Sequence, residues 1–222
     1  MRNIDKLKYD VETKLQFEYL LSQGKDELDR TFQKTKNDLI SQSDIIKEVI
    51  VHANVNNWTD IKNIYNTLGF VVLSSLDLKT YIQILIRTND MLERISIVRM
   101  IFTQIYEIGE DLNYLTGRSF QASLEKINAN NELLEIRNVR NDLIGFKHIY
   151  DDDIRSIRIT IGAHREQDYM IFHNMLCDID YTVSISLVIA VDNILNKFGT
   201  VMNKIMNRCI EYVEKNYKRR DA

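Results

Sequence analysis

The sequence predicts a mostly α-helical bundle with long antiparallel helices and one small β-hairpin. Three observations lead there. The 222-residue chain has no proline and seven glycines, so helices can run long without breakers. Its hydrophobic fraction is 45%, enough for a real core. Apolar residues recur at helical spacing over most of the length, the pattern of helices with one buried face.

Each element follows from local signals. Residues 1–41 read as an N-terminal amphipathic arm and 42–222 as the bundle. In the arm, Ile4, Leu7 and Val11 start an apolar stripe, Leu28, Phe32 and Leu39 continue one, and Gly24 is a candidate break. Ser41 to Asp44 has weak capping-box spacing ahead of a short helix carrying Ile45, Ile46, Val49 and Ile50. The stretch His52 to Trp58, with three Asn, reads as a loop, and Thr59 as the N-cap of a helix bearing Ile61, Ile64, Tyr65 and Leu68. Gly69 to Arg87 has the β-branched content of a strand. Its length and the spacing Leu73, Leu76, Thr80, Ile84 favour a buried helix. Asp90 and Glu93 form a capping pair before a helix to about Thr116, which Gly117 ends.

A further helix is expected from about Ser119 to Ile144, interrupted near Asn128 to Asn131 and capped by Gly145. Leu133, Ile136, Leu143 and Ile144 form its apolar face. Asp151 to Asp153 reads as a loop. Alternation from Ile154 and the run Tyr169 to His173 predict a hairpin at about 154–173. The last helix, capped by Asp178 or Asp180, runs to about Tyr217 with Leu187, Val191, Ile194, Leu195, Phe198, Met202 and Ile205 on its stripe.

Composition narrows the function. The net charge is −3, with 29 basic against 32 acidic residues, so nucleic-acid binding would need a local patch. Cys177 and Cys209 fit no metal-ligand spacing and read as reduced thiols. The N-terminal residues carry charges and no apolar h-region, so no secretory signal is expected. The charge-free apolar run Tyr181 to Val191 is too short to span a bilayer. A cytoplasmic protein with no membrane association, no cofactor and no required metal is expected. Phosphate-loop, dinucleotide, zincin and nucleophile-elbow motifs are absent from the sequence.

The stretch that carries chemistry is Glu135 to His148, E-I-R-N-V-R-N-D-L-I-G-F-K-H. At about 100° per residue, Arg137 and Arg140 lie some 60° apart, with Asn141 about 40° from Arg137. These polar groups share one side of the helix, and Asn138 adjoins them. Arg can donate two hydrogen bonds to phosphate oxygens. Asn can position a phosphate or base edge without charge. A neutral His can take the proton of a ribose 2′-OH.

R-N-D-L-I-G-F (Arg140 to Phe146) resembles the motif of the HEPN superfamily, in which an Arg, often followed by a polar residue, precedes a His by four to six residues. The resemblance implies an all-α bundle, a homodimer that brings two motifs into one cleft, and metal-independent RNA cleavage in bacterial stress or defence systems. It also implies RNA as a ligand and an antitoxin-type protein as a partner. Arg140 and Asn141 match the motif, with Arg137 and Asn138 as substrate-binding candidates. Phe146 stands where the His would be, and a phenyl ring cannot transfer a proton. His148, two residues on, is the candidate replacement. Two readings stay open: an RNA- or nucleotide-binding protein, with or without cleavage, and a non-catalytic dimeric interaction module whose arginines pair with Glu135 and Asp142.

Overall fold

The computed structural model describes Leu15, Tyr19, residues 24–157, Met170 and residues 181–216. The described elements are α1 (Lys25–Val55), α2 (Thr59–Arg87), α3 (Met91–Leu115), α4 (Arg118–Lys126), α5 (Asn130–Ile157) and α6 (Tyr181–Asn216). Leu15, Tyr19 and Met170 are also helical, and there is no strand among the described residues. The protein is a mostly α-helical bundle.

Packing is antiparallel wherever polar contacts show the register. On α1 and α2, Asp29 meets Arg87 near opposite helix ends. Between α5 and α6, Glu132, Glu135 and Asp142 meet Arg208, Lys204 and Lys197 in reverse order. α2 is central and contacts α1, α3, α4 and α6. Phe102, Phe120, Phe146 and Phe198, from four different helices, are among the largest fully buried side chains.

Two helix ends show why Asn was an informative residue. Asn57 and Asn128 have φ of 57° and 59°, a region that Asn tolerates better than most side chains. In each case the following N–H reaches back over the turn: Trp58 N to Ala53 O at 2.8 Å and Ala129 N to Leu124 O at 2.9 Å. These bonds satisfy carbonyls that the helix end leaves open. Asp90 caps α3 as expected, with its carboxylate accepting from Glu93 N at 2.8 Å. At Gly117 a Cβ would lie 2.8 Å from the Tyr114 carbonyl, so the tight turn into α4 requires glycine.

Several expectations are corrected. α1 runs unbroken through the capping-like Ser41, whose hydroxyl donates to Asn37 O. The position that divides arm from bundle in the sequence reading thus falls inside this helix. The segments around Leu68 and Leu76 are one helix, α2. Its core face carries Val71, Val72, Leu78, Ile82 and Leu85, while Leu73 is exposed. The larger change is at Gly145. α5 does not stop there but continues through Asp151, Asp152 and Asp153 to Ile157. A helix-interior glycine costs only about 1 kcal/mol against Ala. Burial of Phe146, Tyr150 and Ile154 offsets that several-fold, at roughly 1.5–3 kcal/mol per large side chain. The hairpin expected at about 154–173 is therefore not supported at its start, because Ile154 to Ile157 are helical, as is Met170. The rest of that segment, with His164 and His173, lies outside the described residues.

By length and composition, α2 and the Ser184–Asn216 part of α6 are long and apolar enough to cross a membrane, with 44% and 61% of their apolar windows buried inside the bundle. Lys79 of α2 and Asp192 of α6 form an ion pair with side-chain exposures of 13% and 20%. Ser75 donates to the same carboxylate at 2.8 Å.

Candidate functional site

α5 presents two faces to two environments. Leu133, Ile136, Val139, Leu143, Phe146, Tyr150 and Ile154 recur three or four residues apart and are all buried. Arg137, Asn138, Asn141 and His148 are exposed, and Arg140 is half-buried at the border. Ile144, expected on the apolar face, is 48% exposed. It sits about 80° around the helix from Ile136 and about 100° from Leu143.

This periodicity decides the fate of position 146. Phe146 is 1% exposed, and its ring lies 5.0 Å from that of Tyr150. It belongs to the core and not to the polar face. The nearby His148 is on the outside, but eight residues from Arg140 is about 12 Å along the helix axis. Arg140 and His148 are therefore not brought together within one chain, though Asn141 and His148 share a face.

The arginines are held in a distinctive way. Arg140 donates from Nε and Nη2 to Asn113 Oδ1 of α3 at 3.0 and 2.7 Å. Arg137 donates from Nη2 to Gln121 Oε1 of α4 at 3.0 Å. Both partners are neutral amides. Other cations nearby meet carboxylates: Lys147 with Glu110, Lys197 with Asp142 at 2.6 Å, and Lys204 with Glu135 at 2.7 Å. Glu135 and Asp142, expected as partners of the arginines in the interaction-module reading, are thus engaged by α6. Among the described residues, the guanidinium charges of Arg137 and Arg140 have no carboxylate at bonding distance. Amide oxygens orient them without neutralising them.

Beside Arg140 a groove of about 570 Å³ opens between α3 and α5, lined in part by Tyr106, Asn113, Ile144, His148, Asp151 and Asp152. Gly109 shapes its wall. A Cβ there would sit 3.0 Å from Lys147 Cδ, so the absent side chain lets the Lys147 stem cross to Glu110. Among the described residues, no group of three or more His, Cys, Asp or Glu could hold a metal ion.

The sequence reading missed Asn113, Gln121, Lys147 and Tyr106. Asn113, Gln121 and Tyr106 are polar or aromatic residues on helices with no motif of their own, and only packing places them against α5. Lys147 is in the α5 stretch itself, and only packing shows that it reaches Glu110. Elsewhere, Cys209 is a free, buried thiol. Burial pushes its pKa up to about 12 and does the same to the Tyr65 hydroxyl, which marks both as structural groups. Comparison with protein-family models, with curated proteins and with solved structures returned no match.

Proposed function

We propose that this protein binds RNA or a nucleotide through the outer face of α5, as a HEPN-like protein of the bacterial stress and defence type. Arg137 and Arg140 take the phosphate, and Asn138 and Asn141 add uncharged hydrogen bonds. The observation that carries the reading is the neutral seating of both guanidinium groups on exposed or half-exposed positions. The lysines around them, by contrast, meet carboxylates. Amide-held guanidinium groups keep their charge and are already oriented for an incoming anion. In this reading the protein is cytoplasmic, and an antitoxin-type protein is its partner.

The face is built for binding more than for proton transfer. Phe146 is in the core, and His148 stands about 12 Å along the axis from Arg140. Cleavage therefore requires that a second copy bring its own face across. Leu134 and Ile144, 58% and 48% exposed on the same side of α5, support a homodimer through it. That dimer also serves the second reading, in which the face is a protein-interaction surface.

The test is titration of labelled single-stranded RNA with the starting protein, Arg140→Ala and Arg137→Ala/Arg140→Ala, with cleavage followed in EDTA. Expected are weaker binding in the single variant, near loss in the double, and a salt dependence shallower by roughly 0.7 per phosphate contact removed. Far-UV circular dichroism should be unchanged, since Asn113 and Gln121 can be hydrated. Equal affinity of all three proteins would overturn the reading. Cleavage that is lost in His148→Ala would assign the base to that residue.

A further inference from the structure

We propose that the groove between α3 and α5 is a subsite for one unpaired nucleotide whose base carries an exocyclic amino group. This rests on the nucleic-acid reading above and adds to it the class of nucleotide. The argument starts from the polarity of the groove along its length.

At one end stands Asn113, whose Oδ1 is occupied by Arg140. Its carboxamide N–H groups are left to donate, next to a guanidinium that is not neutralised. That end offers donors and suits a phosphate. Between the ends the Lys147–Glu110 ion pair crosses from α5 to α3. The apolar surface comes from Ile144, with Tyr106 nearer the aspartate end, and a planar base can lie against it. At the far end are Asp151 and Asp152, with Arg155 one turn beyond. Neither carboxylate has an ion pair or hydrogen bond among the described residues, and together they outnumber the one guanidinium. Carboxylates accept hydrogen bonds and repel phosphate. A molecule that satisfies all three zones has an anionic head, a flat body and an N–H donor at its tail.

Size gives the same answer. Arg140 and Asp151 are about 16 Å apart along the α5 axis. Allowing for both side chains and their contacts, the remaining span suits a single nucleotide. A volume of about 570 Å³ is in the range of small-molecule sites, roughly 300–1,000 Å³, and far too small for a duplex. A continuous strand does not run through the groove either, because Glu110, Asp151 and Asp152 outnumber Lys147 and Arg155 on its walls. One base turns in, and the rest of the strand stays on the arginine side.

The acceptors at the far end select among bases. Cytosine, adenine and guanine present an exocyclic amine, and Asp or Glu accepting from such an amine is a known readout pairing. Uracil presents carbonyl oxygens on both sides of its one ring N–H, and these oppose the carboxylates. The expected preference for amino-bearing bases is about tenfold, the worth of one good polar contact.

The test uses the full chain and short single-stranded oligo-C, oligo-A and oligo-U of equal length, with binding read by fluorescence anisotropy at one salt concentration. Variants are Arg140→Ala and Asp151→Ala/Asp152→Ala, the second of which removes both acceptors. The expected result is tighter binding of oligo-C and oligo-A than of oligo-U. That ratio should fall toward one in the double Asp variant and persist in Arg140→Ala, where all three weaken together. Equal binding of the three oligomers by the starting protein, with Arg140→Ala still weakening them, would overturn the subsite and leave the nucleic-acid reading standing. A preference for amino-bearing bases that survives in the double Asp variant would also overturn it. Failure of all three oligomers to bind would remove the reading on which the subsite rests.

Discussion

Replacing Phe146 by His writes the expected HEPN residue back into the motif, and the structure predicts that it damages the fold instead of restoring a base. Phe146 is 1% exposed and lies against Tyr150 with ring centroids 5.0 Å apart. Removing a buried phenyl group altogether costs about 3–5 kcal/mol. An imidazole recovers part of that volume but brings a buried N–H, at about 1–3 kcal/mol if it finds no acceptor. A net loss of roughly 3–5 kcal/mol follows, which for a chain of this size lowers Tm by roughly 6–20 °C. The pH dependence has a definite sign. Burial disfavours the imidazolium, so the folded-state pKa falls below the unfolded value near 6.5. The unfolded state then binds more protons, and the variant loses further stability as pH drops through about 6.5. The assays are thermal melts at pH 8 and pH 5.5 beside RNA cleavage in EDTA. A variant of unchanged Tm that gains cleavage would refute the reasoning, because it would put position 146 in the cleft.

Three further expectations concern stability and the site. Lys79→Met leaves the Asp192 carboxylate with only Ser75 and Asn196 for company. The loss should be about 2 kcal/mol, below the 3–5 of a fully buried broken pair. Lys79→Met/Asp192→Leu should recover most of it in urea unfolding, and additive losses in the double variant would show that the pair does not act as a unit. Burial between α2 and α3 raises the Asp77 pKa, so its charged form is disfavoured in the folded state. Asp77→Asn should therefore raise Tm at pH 7, with the gain fading as pH falls through the folded pKa toward the ordinary carboxylate value, because both states are then protonated. A gain of equal size at pH 3.5 and pH 7 would contradict that cause. At the site, Asn113→Ala releases the Arg140 guanidinium. RNA affinity should fall less than in Arg140→Ala while Tm barely changes, because the guanidinium remains and only its orientation and the Asn113 N–H donors are lost. An effect as large as that of Arg140→Ala would mean that the guanidinium contributes nothing unless Asn113 holds it.

The sequence by itself determined the class of the fold and much of its punctuation. Helical spacing of Ile95, Val98, Phe102 and Ile105, or of Leu187, Val191, Ile194 and Phe198, specifies a buried stripe wherever the partner helix lies, because the period is a property of the backbone. Asp90, Asn57 and Asn128 mark ends through local hydrogen bonding and local φ, which need no distant residue. The polar side of α5 was legible for the same reason. Tertiary structure decided what local signals left balanced. Gly145 and the aspartates after it read as a stop, and packing of Phe146, Tyr150 and Ile154 into the bundle overrides them by several kcal/mol. Whether an arginine is neutralised, oriented or free depends on neighbours far away in sequence. Asn113 and Gln121 lie 27 and 16 residues before the arginines they hold, and nothing in their own segments announces it. The groove is likewise a property of two helices at once: a polar stripe on α5 becomes a candidate site only where α3 supplies the opposite wall.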